Sequence, residues 1–169
     1  MDWEENIVDA WEEIRDFRTI EQFFRILDET KTIAVLGIDP GARSDRRSVF
    51  VAEWLQKHGF RMIPVTTENG SAAEIFGEKV YRRLGDVPDK IDLVLIYTPS
   101  EKVPAYVDEI LAVRPAFVWM NLGVACEAAA RVFAERGMLV VQNTCFWDEY
   151  RFYPKMCNYD YDENLNRRP

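Results

Sequence analysis

Between the unbroken apolar run TIAVL and an amphipathic segment beginning near Ser48, the chain carries the polar stretch GIDPGARSDRR, residues 37 to 47. Gly37, at the end of the apolar run, lets the backbone turn tightly and lets an anion approach the amides. Arg43, Arg46 and Arg47 add charge-assisted donors. A helix capped by Ser48 would aim its first N–H groups and the positive end of its dipole at the same place. Together these groups suit a pyrophosphate. The competing reading has Gly37 and Gly41 only shaping a turn, with the arginines solvated.

Little else in the chain promises covalent chemistry. Cys126 stands before Glu127 near an expected helix start, where a thiolate is favoured. A small core-facing or helix-starting residue is preferred there over a redox or acylation site. Cys145 is read the same way, and Cys157 gives no signal. No CxxC pair occurs, and the lone His58 ends a helix at the amino end of the second strand, away from the Gly37 loop. A zinc site needs several ligands at suitable spacing, and none can be assembled. Nucleophilic catalysis needs a base within reach of the nucleophile. Asp39 and Glu68 have no evident partner, so a binding protein without catalytic activity of its own is expected.

The elements that must position the loop follow from periodicity. Ile7, Ala10, Trp11 and Ile14 share one helical face, and Ile20, Phe23, Phe24 and Leu27 share another. Strands are expected at Thr32 to Leu36, Arg61 to Val65, Asp92 to Tyr97, Ala116 to Met120 and Met138 to Gln142. Their continuous Ile/Val/Leu character suits strands buried on both faces. Helices are expected from Ser48 to His58, from about Glu101 to Val113 and around Glu127 to Arg136, with a short helical turn after Gly70. Strands alternating with helices argue for an α/β, Rossmann-like, three-layer domain with a five-stranded parallel sheet. In such sheets ligands bind outside the carboxyl ends of the strands, near the point where strand order reverses. That rule selects the loops at residues 37–47, 66–71, 98–102 and 121–126.

Composition excludes other classes. The 169 residues are 48% hydrophobic and 30% charged, which is ordinary for one globular domain with an extension. A net charge of −8 speaks against a nucleic-acid partner, since phosphate neutralisation supplies much of such affinity. No apolar run reaches the ~20 residues of a membrane span. The acidic start MDWEENIVDAWEEI does not read as a secretory signal, and unpaired cysteines fit the cytoplasm. The expected division is a helical extension over 1–22, a ligand domain over 23–145 and an aromatic, acidic tail over 146–169.

The dinucleotide fingerprint GxGxxG is absent, because the loop reads Gly37-Ile38-Asp39-Pro40-Gly41. The second strand ends in Thr66-Thr67 where a ribose-binding acid would stand. A nicotinamide enzyme is therefore disfavoured, although hydroxyls there suit a phosphorylated ribose.

The blocks TIAVLG, Arg46-x-Ser48, VAEWLQKHGFRMIPV, GEKVYRRLGDVPDKIDLVLIY and VWMNLG resemble the small bacterial and archaeal CoA-binding proteins. Those proteins are similar to the N-terminal domain of the succinyl-CoA synthetase α subunit. The resemblance runs from about Phe23 to Cys145 and implies coenzyme A, or an acyl-CoA, bound across the strand ends. By it, Gly37, Ile38 and Asp39 stand where the family's Gly-x-Ser approaches the pyrophosphate. Arg46 and Ser48 match its Arg-x-Ser, with two extra loop residues. Pro64, Val65 and Thr66 match its Pro-Val-Asn beside the adenosine. Tyr97, Thr98 and Pro99 occupy its third-strand loop, Asn121, Leu122 and Gly123 its Gln-Leu-Gly, and Cys145 a cysteine that recurs near its C-terminus. Asp39 departs from the family serine, and a carboxylate beside a diphosphate repels it unless an arginine pairs with it. The resemblance places the ligase's phosphorylated histidine in a second domain with no counterpart here.

Two other readings keep the scaffold. One is a nicotinamide-cofactor enzyme or redox sensor. The other is a ligand-free interaction protein using the N-terminal amphipathic segment, which could also join two copies of the chain. The aromatics Phe146, Trp147, Tyr150, Phe152 and Tyr153 are expected to pack on the sheet edge or on the helices.

Overall fold

The computed structural model describes residues 20–38, 46–67 and 73–152. The stripes at residues 7–14, the residues Asp39 and Arg43, and the tail beyond 152 lie outside them.

Helix α1 spans Ile20–Glu29 and buries Ile26 and Leu27, with Phe23 and Phe24 half-buried beside them. It closes at Thr30, whose hydroxyl donates to the Ile26 carbonyl at 2.6 Å. Strand β1, Thr32–Leu36, follows at once. Its entry is fixed by Asp92, whose Oδ2 accepts the Lys31 and Thr32 N–H groups at 3.2 and 3.1 Å. Helix α2, Arg46–Lys57, turns Val51, Ala52 and Leu55 inward. Gly59, at φ +95°, ends it, with the Phe60 N–H returning to the Leu55 carbonyl at 3.2 Å. Strand β2 is Arg61–Val65.

A small hairpin, β3 (Glu74–Ile75) and β4 (Glu78–Lys79), stands where a short helical turn was expected. Its two turn residues, Phe76 and Gly77, both take positive φ, the backbone that joins two antiparallel strands tightly. The remaining elements are β5 (Leu93–Ile96), α3 (Val107–Val113), β6 (Phe117–Met120), α4 (Glu127–Glu135), β7 (Leu139–Val141) and α5 (Phe146–Arg151). A 3-10 helix, Ser100–Tyr106, replaces the first half of the helix expected from Glu101. Pro104 sits inside it; proline lacks an N–H and disfavours the α conformation at the preceding residue.

The five main strands form one parallel sheet, as the alternation of strands and helices implied, and their order is β2-β1-β5-β6-β7. Successive side chains alternate between two cores. Ile33, Val35, Leu93, Leu95 and Trp119 join α1, α2 and α5 on one face. Ala34, Leu36, Val94, Ile96 and Val118 join α3 and α4 on the other. The order reverses between β1 and β5, which places the crevice of interest there. No helix among the described residues is long and apolar enough to cross a membrane.

Of the C-terminal aromatics, Tyr153 lies outside the described residues, and the others pack as expected with one exception. Phe146 is fully buried against Trp119 and Phe60, with ring centroids at 4.8 and 5.8 Å. Tyr150 meets Phe60 at 4.7 Å, and Trp147 meets Phe50 and Trp54. Phe152, in contrast, is 63% exposed. It lies just past the end of α5, with the Arg151 guanidinium over its ring at 4.5 Å.

Candidate functional site

The carboxyl ends of β1 and β5 meet at Gly37 and Thr98. The Tyr97 N–H donates to the Leu36 carbonyl and the Gly37 N–H to the Val65 carbonyl, both at 2.9 Å, which locks the ends of three adjacent strands together. Gly37 takes φ +90°. A Cβ built there would lie 2.8 Å from the Thr98 nitrogen and closer still to the Thr98 hydroxyl. The sequence assigned this glycine to a tight turn beside an anion. The turn is present, and the close neighbour is the β5 loop of the protein itself.

Thr98 is 1% exposed, and its Oγ1 has no hydrogen-bond partner among the described residues. A buried hydroxyl left unpaired costs about 1–3 kcal/mol, so this atom is suited to an outside partner. The N-terminus of α2 opens on the same edge of the sheet, because a helix that follows a parallel strand begins at that strand's carboxyl end. Its first turn carries no acidic residue, whereas the first turns of α3, α4 and α5 hold Asp108 and Glu109, Glu127, and Asp148 and Glu149. A carboxylate in the first turn competes with an anionic ligand for the helix dipole. Of these four first turns, that of α2 alone carries no carboxylate. Arg46 and Arg47 are its first residues, which corrects the expectation that Ser48 stands before the helix as its cap. Arginine is a good helix former, so the helix starts two residues earlier.

The other expected site residues divide into those that keep polar groups at the rim and those that have spent them. Ile38 is fully buried in the core under α2, so its backbone alone faces the loop. Pro64 and Val65 are buried in β2, and Thr66 is 5% exposed with its N–H donating to the Tyr81 carbonyl at 3.0 Å. Pro99 is exposed beside Thr98, and Tyr97 is half-buried against the α2-side core. Asn121 is 2% exposed, and its Oδ1 accepts the Phe146 N–H at 3.3 Å. The Gly123 N–H donates to Asn143 Oδ1 at 2.9 Å. Asn121 Oδ1 and the Gly123 N–H thus bond within the scaffold.

Ser100, Gln142 and Asn143 shape the rim and were not singled out by the sequence. Ser100 Oγ accepts the Ala125 N–H at 2.9 Å, and Gln142 Oε1 accepts the Cys126 N–H at 2.7 Å. The rule that selected loops at strand ends applies to the end of β7 as well, so the signal for Gln142 and Asn143 was present. His58 stacks on Trp54 at 3.5 Å and lies at the far end of α2 from Arg46. Cys145 is buried, and burial pushes its thiol pKa up. Among the described residues, no group of three or more His, Cys, Asp or Glu could hold a metal ion.

Residues 31–151 match the model of the CoA binding domain. The chain belongs to the CoA-binding domain family. An uncharacterised protein of Bacillus subtilis (strain 168), YneT, is 32% identical over 120 residues, covering 71% of this chain and 85% of that protein. A solved structure from Thermus thermophilus superposes with a TM-score of 0.69 at 28% identity, over 78% of this chain and 96% of that one. A dinucleotide-forming acetyl-coenzyme A synthetase of Ca. Korarchaeum cryptofilum, solved with phosphate and ADP, matches with a TM-score of 0.56 at 25% identity. That match covers 67% of this chain but 26% of the synthetase, so the shared part is one domain of a larger enzyme. In the CoA-binding domain seen here, the family match ends at the last residue of α5, so the family unit takes in the helix that packs on the sheet.

Proposed function

We propose that the protein binds coenzyme A or an acyl-CoA and carries out no chemistry of its own. The observation that carries the reading is the meeting of the β1 and β5 ends at the strand-order reversal, where ligands bind in sheets of this kind. There Gly37 is pressed against Thr98, whose buried hydroxyl has no partner among the described residues. The family gives the ligand class, and the crevice has groups to receive it. In this reading the first amides of α2, with Arg43, Arg46 and Arg47, hold the diphosphate. Thr98 donates its hydroxyl, while Pro64, Val65 and Thr66 flank the adenosine. The ligand's thiol or thioester would be presented to another protein. Burial raises the Cys145 thiol pKa, and His58 stacks on Trp54 at the far end of α2. Unpaired thiols support a cytoplasmic location.

Thermal melting of the whole chain with coenzyme A, acetyl-CoA, NAD and NADP tests the reading. Ligand at a hundredfold excess over Kd adds about 2.7 kcal/mol, which raises Tm by roughly 5–10 °C for a chain of this size. Arg46→Glu should abolish most of that rise, whereas His58→Ala should leave it intact. No shift with millimolar coenzyme A would overturn the proposal. A shift with the nicotinamide cofactors alone would replace it.

A further inference from the structure

The loops that end β6 and β7 are tied by a crossed pair of side-chain hydrogen bonds. Helix α4 follows β6 and begins after Cys126, and α5 follows β7 and begins after Cys145. Neither cysteine makes a side-chain capping hydrogen bond. Sulfur is a weak acceptor, and one N–H at each helix start takes an oxygen instead. That oxygen comes from the opposite strand. Asn121, the residue after β6, places Oδ1 3.3 Å from the N–H of Phe146, the first residue of α5. Gln142, the residue after β7, places Oε1 2.7 Å from the N–H of Cys126, the residue at which α4 begins. Each strand thus ends in a carboxamide that serves the helix following the other strand.

We propose that Asn121 and Gln142 are reciprocal positioning residues that make the two loops move as one body. Both are buried, at 2% and 9% exposed, where an apolar side chain would avoid the cost of dehydrating an amide. The β6 loop is pinned twice more, through Gly123 by Asn143 and through Ala125 by Ser100. Trp119 Nε1 also holds the Thr144 carbonyl at 2.7 Å, so the β7 loop is fastened to β6 from beneath. Helix α5, whose Phe146 is fully buried on Trp119, cannot shift without carrying the rim of the crevice with it.

Amide hydrogen exchange on the full chain tests the coupling without any ligand. Asn121→Leu should speed exchange at Cys126 about tenfold although Gln142 is still present, and Gln142→Leu should do the same at Phe146. Asn121→Asp and Gln142→Glu keep an acceptor oxygen and should restore protection at both amides. The double Leu variant should exceed the larger single effect only slightly. Asn121→Ala and Gln142→Ala, which leave room for water, replace the Leu variants if those do not fold. Asn143→Ala should speed Gly123 alone. If each substitution affects only the amide that it contacts, the proposal falls. A second arm rests on the proposed function: coenzyme A should bind each Leu variant about fivefold to tenfold more weakly, and the Asp and Glu variants normally. Unchanged affinity in folded Leu variants would refute positioning. Failure of the unaltered chain to bind would refute the ligand reading, while the exchange arm still decides the coupling.

Discussion

Replacing Gly37 with alanine tests the geometry at the crevice most directly. The residue sits at φ +90°, where an L side chain costs about 1–2 kcal/mol. Its new Cβ would also lie 2.8 Å from the Thr98 nitrogen and 3.1 Å from the Thr98 Cα, both backbone atoms. Neither side can retreat easily, since Gly37 is bonded to Val65 and Tyr97 to Leu36 at 2.9 Å each. Forcing a methyl group into such a contact costs about a further 1–3 kcal/mol. The expected total of about 2–5 kcal/mol corresponds to a fall in Tm of roughly 4–20 °C. Gly59→Ala is the matched control, with φ +95° and nothing within 4 Å of its Cβ. It should suffer the strain alone, at about 1–2 kcal/mol. Urea unfolding of both variants with equal m-values reads the difference. Equal destabilisation of the two would show that Gly37 does not press on Thr98.

Three further outcomes follow from the packing and the titrating groups. Phe146→Ala empties a fully buried site between Trp119 and Phe60 and should cost about 3–5 kcal/mol in urea unfolding; a loss below 1 kcal/mol would mean that α5 is not seated on the sheet. Burial, with a smaller contribution from Asp148, holds the Glu149 carboxyl above its ordinary range. Its neutral form is thus favoured in the fold, so stability falls as pH rises through the carboxylate range; Glu149→Gln should raise Tm at pH 7 and leave it unchanged at pH 3, and an equal effect at both values would contradict the assignment. The Cys145 thiol is raised by burial, so its contribution to stability is lost as pH climbs above the usual thiol range; alkylation mapped by mass spectrometry at pH 8 should spare Cys145 in the folded chain and modify it in urea.

Much of the architecture was legible in the residues. The apolar runs TIAVL, RMIPV and DLVLIY specify strands buried on both faces, and the intervening helical periodicities demand crossovers, so a parallel sheet follows from local pattern alone. Gly37, at the end of the first run, marked one of four candidate loops, and only the strand order placed the reversal beside it. Where pattern failed, a local exception prevailed: Pro104 turned half a helix into 3-10, and Phe76-Gly77 folded a hairpin where a helical turn was expected. The fate of individual polar groups was of another kind. Asn121 and Gly123 read as ligand contacts by their place after a strand, yet their partners are Phe146 and Asn143, which stand 25 and 20 residues further along the chain. Thr98 looked no different from Thr66, but only burial against Gly37 leaves its hydroxyl without a partner among the described residues. Periodicity is a property of neighbours in sequence and survives without a structure. Hydrogen-bond satisfaction depends on which distant groups arrive at the same point, and that is fixed only once the sheet has assembled.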